Sequence, residues 1–143
     1  MKILNLLFVG LVALTVVSCG EKNPIVGKWK LDGVNVEKAI ASFPEDQKDF
    51  ARKMMSSAFE QVKGKMKLSF EKDGKFVVES PAQDGKINTE NGTWSLSTDK
   101  KKLSTTVSGK KETIAVIENT DARLVLGMSA NGQGEMEMTF VHQ

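Results

Sequence analysis

The 143-residue chain has few of the side chains that catalysis and redox chemistry use, with one cysteine, one histidine and no tyrosine. A single cysteine excludes an internal disulfide. The only histidine, His142, is the penultimate residue, and chain ends fray, so we expect no triad of nucleophile, histidine and carboxylate. Charge is nearly balanced, with 20 Lys plus Arg against 18 Asp plus Glu, whereas a nucleic-acid-binding domain carries a basic stripe. The composition therefore predicts neither an enzyme nor a nucleic-acid partner.

Residues 1–18 have the form of a signal peptide. Lys2 supplies a positive start, an apolar run extends from Ile3 to Val17, and the small residue Ser18 follows. The run has 15 residues, fewer than the roughly 20 that a permanent membrane-spanning helix needs. We therefore expect this segment to be removed.

The four residues Val16-Val17-Ser18-Cys19 resemble the bacterial lipobox. The resemblance implies that Cys19 is acylated, that the signal peptidase cuts between Ser18 and Cys19, and that lipid holds the mature protein on a membrane. Residues 19–24 then form an acylated tether without an acidic cluster, which favours the outer membrane, facing the periplasm, over surface exposure. The alternative is an ordinary secretory signal with an incidental cysteine.

Two helices are predicted early in the remaining chain because apolar residues recur there at spacings of three and four. Ser42 and Glu45 have the spacing of a capping box, in which two side chains satisfy backbone amides at a helix start. Gly64 is placed to end a helix. We expect a short helix over 36–41 and a longer one over 43–63.

The rest of the chain alternates apolar and polar residues, which is typical of half-buried strands. Turn formers such as Asp73-Gly74 separate the alternating runs. The predicted strands cover 25–31, 65–71, 75–79, 92–97, 102–107, 112–118, 123–129 and 135–141, with a polar loop over 80–91. Eight such strands can close a barrel. We therefore predict a mainly β domain over 25–143: an eight-stranded antiparallel up-and-down barrel with a helical lid, 36–63, between strands 1 and 2.

Gly27-Lys28-Trp29 on the first strand resembles the Gly-x-Trp motif that opens lipocalins and related calycin barrels. A lipobox followed by a tether and such a barrel is similar to the lipocalin-like lipoproteins common in Bacteroidetes. The resemblance implies that Arg123, on a late strand, packs over Trp29. Gly27 would let the chain pass close beneath the barrel floor, and the large ring of Trp29 would fill that end. The Thr-Asp-Tyr motif of lipocalins is absent, since the chain has no tyrosine.

Two functions follow from this architecture. The first is a binding module that holds a small apolar or amphipathic molecule, with candidate ligand contacts at Phe50, Met54, Phe59, Trp94 and Met138. The second is a barrel filled by its own side chains, which serves as a structural module or docks another envelope protein. A cavity of at least ~300 Å³, the lower end for ligand pockets, distinguishes the first from the second.

Two chemical alternatives carry less weight. Met136, Met138 and His142 are ligand types that suit copper, but a period of two places both methionines on an inward core face. Asp84 and Glu90 are carboxylates on the predicted polar loop, and nothing separates them from a solvated surface. We therefore predict no catalytic residue, no metal ligand and no cofactor.

Overall fold

A computed structural model of the chain describes residues 23–130 and 133–143. The predicted signal peptide, Cys19 and most of the tether lie outside these described residues. The predicted cleavage and acylation therefore stay predictions.

Eight antiparallel strands form a closed barrel in which every strand pairs with its neighbour along the chain and β8 pairs with β1. This confirms the predicted fold class. The elements in chain order are β1 (Gly27–Asn35), α1 (Glu37–Ile40), α2 (Glu45–Val62), β2 (Lys67–Phe70), β3 (Lys75–Pro81), β4 (Ile87–Leu96), β5 (Lys102–Val107), β6 (Lys110–Asn119), β7 (Arg123–Ala130) and β8 (Gln133–His142).

The alternating apolar residues of the strands face the barrel interior, as strand geometry requires. On β1 and β8 the side chains of Trp29, Leu31 and Phe140 are buried, while Lys28 and Lys30, which flank Trp29, are exposed. Leu124 and Leu126 on β7 join the same core. One barrel end, here called the floor, contains the chain segment before β1, the β2–β3 turn and the end of β8. The opposite end, here called the mouth, contains the helices, the β5–β6 turn and the start of β8.

The two helices cover part of the mouth beside β1 and β8. Val36, Ile40 of α1 and Ala51 of α2 are buried together. Half-buried Val34 of β1 and Met136 of β8 pack against that cluster. The helical insertion therefore acts as a partial cover over one side of the barrel.

Exposed ion pairs connect the two helices of the cover to each other and connect the cover to the barrel. Arg52 donates from Nε to Glu37 Oε1 at 2.9 Å and from Nη2 to Glu37 Oε2 at 3.0 Å, which joins α2 to α1. The hydrogen bond from Arg52 lowers the pKa of Glu37. Lys38 Nζ donates to Glu137 Oε1 at 2.7 Å, which joins α1 to β8, and this bond raises the pKa of Lys38.

The start of α2 differs from the predicted capping box. Pro44 is the N-cap residue and no side chain caps the helix. The Ser42 hydroxyl donates instead to the carbonyl of Ala39 at 3.4 Å, at the end of α1. The Ser42 side chain therefore bonds to the end of α1 and does not cap α2. The prediction of a capping box formed by Ser42 and Glu45 was wrong.

The predicted loop over 80–91 is mostly strand. β3 extends to Pro81 and β4 begins at Ile87, with seven cross-strand partners between Lys75↔Thr93 and Pro81↔Ile87. Backbone pairing stabilises this hairpin although its side chains are largely polar. Glu90 therefore lies on a strand of the barrel wall and not on a loop.

Candidate functional site

The barrel contains a cavity of about 380 Å³ between its floor and its mouth. Its walls come from β2 to β8, and most of the side chains that line it are apolar: Leu68, Phe70, Phe76, Val78, Leu103, Val107, Ile114, Leu126, Met128 and Phe140. Mainly apolar concavities of this size are the usual form of small-molecule sites. A wider depression of about 650 Å³ lies on the outer surface beside Lys67, Glu71 and Lys72, where its charged walls suit solvent better than an apolar ligand.

One polar side chain lies among these apolar walls. Thr105 of β5 is 4% exposed and lines the cavity. Within the described part of the chain, no residue forms a hydrogen bond with its hydroxyl. Because Thr105 lines the cavity, its hydroxyl can donate a hydrogen bond to the occupant or accept one from it.

Charged side chains line the upper part of the cavity. Glu90 of β4, together with Lys110 and Glu112 of β6, contributes to its wall. Glu112 is directly opposite Thr105, and Lys110 is opposite Val107, so these paired side chains share the inner face. None of the three charged groups forms an ion pair with another described residue. The upper cavity is therefore polar and carries two carboxylates against one ammonium.

The floor is closed by an aromatic pair and a glycine. The Trp29 indole Nε1 donates to the carbonyl of Ile25 at 2.8 Å, and Trp29 is fully buried. The imidazole of His142 stacks on the Trp29 ring with centroids 3.8 Å apart. At Gly27 a Cβ atom would lie 2.6 Å from His142 Cε1, and the backbone φ is +143°. The glycine therefore permits the close approach of the histidine that covers the tryptophan.

His142 fills the position that was expected for Arg123. Leu124 faces the core, so strand alternation turns Arg123 outward, where its side chain is 53% exposed and its Nη1 lies 3.7 Å from Glu118 Oε2. The prediction that Arg123 packs over Trp29 was therefore wrong. The expectation that His142 frays was also wrong, because its ring packs on Trp29 in the register of β1 with β8.

The five predicted ligand contacts do not line the cavity. Phe50 and Met54 are 69% and 58% exposed, because the face of α2 that packs inward carries Ala51 and Phe59 instead. Phe59 is half-buried and packs against the barrel core. The face of α2 that packs inward is therefore rotated from the predicted face by about one residue. One residue corresponds to a rotation of about 100° around a helix.

Trp94 and Met138 face inward and each neighbours a lining residue, but neither of them lines the cavity. Trp94 donates from Nε1 to the carbonyl of Glu71 at 2.9 Å, near the floor. Its ring meets Phe70 edge-on, with centroids 5.5 Å apart. Met138 pairs with Leu126 and packs against the core. Both residues therefore have core-packing positions, and Met128 is a methionine that lines the cavity.

Sequence reasoning missed Thr105, Glu90, Lys110 and Glu112 as cavity residues. A signal for them was present, because counting back in twos from Trp94 reaches Glu90, and counting back from the buried Ile114 reaches Glu112 and Lys110. Sequence reasoning overlooked these residues because it assigned the inner face of each strand from its hydrophobic residues alone. Extending the alternation of each strand beyond its apolar residues assigns these polar side chains to the inner face.

The described ranges contain neither a metal-binding cluster nor a membrane-spanning helix. In residues 23–130 and 133–143, no group of three or more His, Cys, Asp or Glu side chains is arranged to hold a metal ion. The helices described here include none with the length and apolar character needed to span a membrane.

The chain was compared with models of known protein families. A lipocalin-like domain model matches residues 25–126. The chain belongs to the lipocalin-like family. The match begins at Ile25, which accepts the hydrogen bond from Trp29, and it extends to Leu126 of the cavity wall. No enzyme family is indicated, and a comparison with curated proteins gave no match.

Solved structures with this architecture include bacterial proteins. A lipocalin-like protein from Bacteroides uniformis is similar with a TM-score of 0.54 and 18% identity, over 84% of this chain and 99% of that one. An uncharacterized protein from Bacteroides eggerthii is similar with a TM-score of 0.50 and 16% identity, over 82% of this chain and 98% of that one. At these identities the similarity shows the fold alone.

Proposed function

We propose that the barrel binds a small apolar or amphipathic molecule in the cavity between the floor and the mouth. The observation that carries this proposal is the cavity itself, whose volume of about 380 Å³ exceeds the ~300 Å³ expected at the lower end for ligand sites. A barrel filled by its own side chains, the alternative predicted from the sequence, would lack this space.

The distribution of side chains supports an amphipathic ligand. Phenylalanine, leucine and isoleucine side chains surround the lower cavity, while Glu90, Lys110 and Glu112 line its upper part. An apolar chain placed in the lower part gains free energy by leaving water, and a polar head group remains near the charged wall.

We also propose that the mature protein is a lipoprotein anchored through acylated Cys19 after removal of residues 1–18. The lipobox residues and the short tether support this anchor, and two or more acyl chains give stable membrane attachment. Outer-membrane attachment, facing the periplasm, belongs to the same proposal. A small hydrophobic ligand and the membrane are then the expected partners, with an envelope protein as a further candidate.

A pair of tryptophan substitutions on one strand tests ligand binding. Met128 lines the cavity, whereas its neighbour Ser129 is exposed on the outer face of β7. In residues 20–143, which carry all eight strands and both helices, Met128→Trp should weaken binding of the neutral dye N-phenyl-1-naphthylamine at least about tenfold. Ser129→Trp adds the same ring outside and should leave binding unchanged. Equal dye binding by both variants, or none by the parent protein, would reject the cavity as the ligand site.

A further inference from the structure

We propose that the cavity prefers an amphiphile with a primary ammonium head group over one with a carboxylate head group. This inference rests on the proposed ligand-binding function and adds the chemical class of the ligand. It depends on Thr105, Glu112 and Glu90, which no sequence motif identified.

The side chains of Thr105 and Glu112 are neighbours on the inner wall of the barrel. Thr105 of β5 and Glu112 of β6 are directly opposed in the antiparallel register, and both line the cavity. Opposed residues on one face of a sheet have Cβ atoms about 4.5–5.5 Å apart. One head group can therefore reach both side chains while its chain extends into the apolar lower cavity.

The chemistry of these groups selects a hydrogen-bond donor. An ionised carboxylate only accepts hydrogen bonds, and the Thr105 hydroxyl accepts as well as donates. Thr105 lines the cavity, so its hydroxyl can accept a hydrogen bond from the ligand. An ammonium donates up to three hydrogen bonds and fits this set of acceptors.

Charge in the cavity favours the same head group. Glu90 and Glu112 both line the wall, and Lys110 is the single cationic residue among the described lining residues. The cavity therefore carries a net charge of −1 from these three groups. A carboxylate head group would meet two like charges there, whereas an ammonium is attracted by both. Lys110 stands opposite Val107 next to the β5–β6 turn, above the Thr105–Glu112 pair, and it partly offsets this attraction.

Three probes with one alkyl chain test the preference: decylamine, 1-decanol and decanoate, titrated calorimetrically at neutral pH into residues 20–143. We expect decylamine to bind about fivefold more tightly than 1-decanol, because an exposed ion pair contributes affinity of about that size. Decanoate should bind more weakly than 1-decanol, because its carboxylate is repelled by the two glutamates. Higher salt should reduce the difference between decylamine and 1-decanol. Decanoate binding as tightly as decylamine would overturn the ammonium preference.

Two variants locate the effect. Glu112→Gln should lower decylamine affinity more than 1-decanol affinity, so that the roughly fivefold difference between these two probes disappears. Glu71→Gln removes the same charge from the β2–β3 turn at the floor and should change neither. Equal effects of the two substitutions would overturn the assignment to Glu112. If 1-decanol binds but decylamine gains nothing over it, the head-group inference fails and ligand binding stands. If none of the three probes binds, the proposed function fails as well.

Discussion

Replacement of Gly27 by alanine tests the floor of the barrel. The backbone φ at Gly27 is +143°, and strain at such an angle costs a residue with a side chain about 1–3 kcal/mol. The new Cβ would lie 2.6 Å from His142 Cε1, so the imidazole must leave its position on Trp29. An aromatic stack of this kind is worth about 0.5–1.5 kcal/mol. We expect Gly27→Ala to lower the free energy of unfolding by about 2–4 kcal/mol.

A double-mutant cycle separates the two contributions. In the His142→Ala background the collision is absent, so Gly27→Ala should cost only the backbone strain and about 0.5–1.5 kcal/mol less than in the parent protein. The assay is urea unfolding followed by tryptophan fluorescence. Gly85→Ala is the control, because Gly85 has a φ of +80° and no described atom beyond its chain neighbours lies within 4 Å of the position that a Cβ would take; its cost should not depend on residue 142. Additivity of Gly27→Ala and His142→Ala within about 0.5 kcal/mol would refute the contact.

Three further predictions concern the floor, the helical cover and the anchor. Trp29→Phe removes the buried hydrogen bond to the Ile25 carbonyl, which is 2.8 Å long, and should lower the free energy of unfolding by about 1–3 kcal/mol in urea titrations; no change would exclude that bond as a stabilising contact. Glu37 has a pKa lowered by Arg52, so its contribution is present above its ordinary pKa and is lost as pH falls through the lowered value. Hydrogen-exchange protection of α1 and α2 should therefore fall in acid, Arg52→Gln should reduce that pH dependence, and an unchanged dependence would contradict the ion pair. Cys19→Ser should abolish incorporation of a labelled fatty acid, and the protein should no longer need detergent for its extraction; persistent labelling would reject acylation at this residue.

The fold was predictable because the strands obey a simple physical rule. On β7 and β8, alternate apolar residues such as Leu124, Leu126 and Phe140 indicate an inner face, and turn residues separate the runs. Eight runs of this kind fit one closed barrel. The helical insertion was predictable in the same way from its three-and-four spacing.

The site was less predictable, for reasons that particular residues illustrate. The helix α2 carries apolar residues on two neighbouring faces, with Phe50 and Met54 on one and Ala51 and Phe59 on the other. Hydrophobicity cannot decide which face packs inward, since both satisfy the helical period. Packing against Val36 and Ile40 decides it in favour of Ala51.

The alternation of apolar residues predicted the strands but gave no indication of the polar residues inside the barrel. Glu90 lies in a hairpin that backbone hydrogen bonds stabilise, although its polar composition indicated a loop. Thr105 and Glu112 face each other across β5 and β6, a pairing that follows only once the position of the connecting turn is known. Register depends on backbone pairing and turn geometry, which a hydrophobic pattern specifies weakly where the inner face is polar.

Native mass spectrometry of the protein purified from its own host tests the central claim most directly. We predict that a small amphiphile is retained by the parent protein and by Ser129→Trp but is lost from Met128→Trp, whose added ring occupies the cavity. A parent protein that carries no molecule and also binds none of the decyl probes would contradict the claim that this barrel is a ligand-binding module.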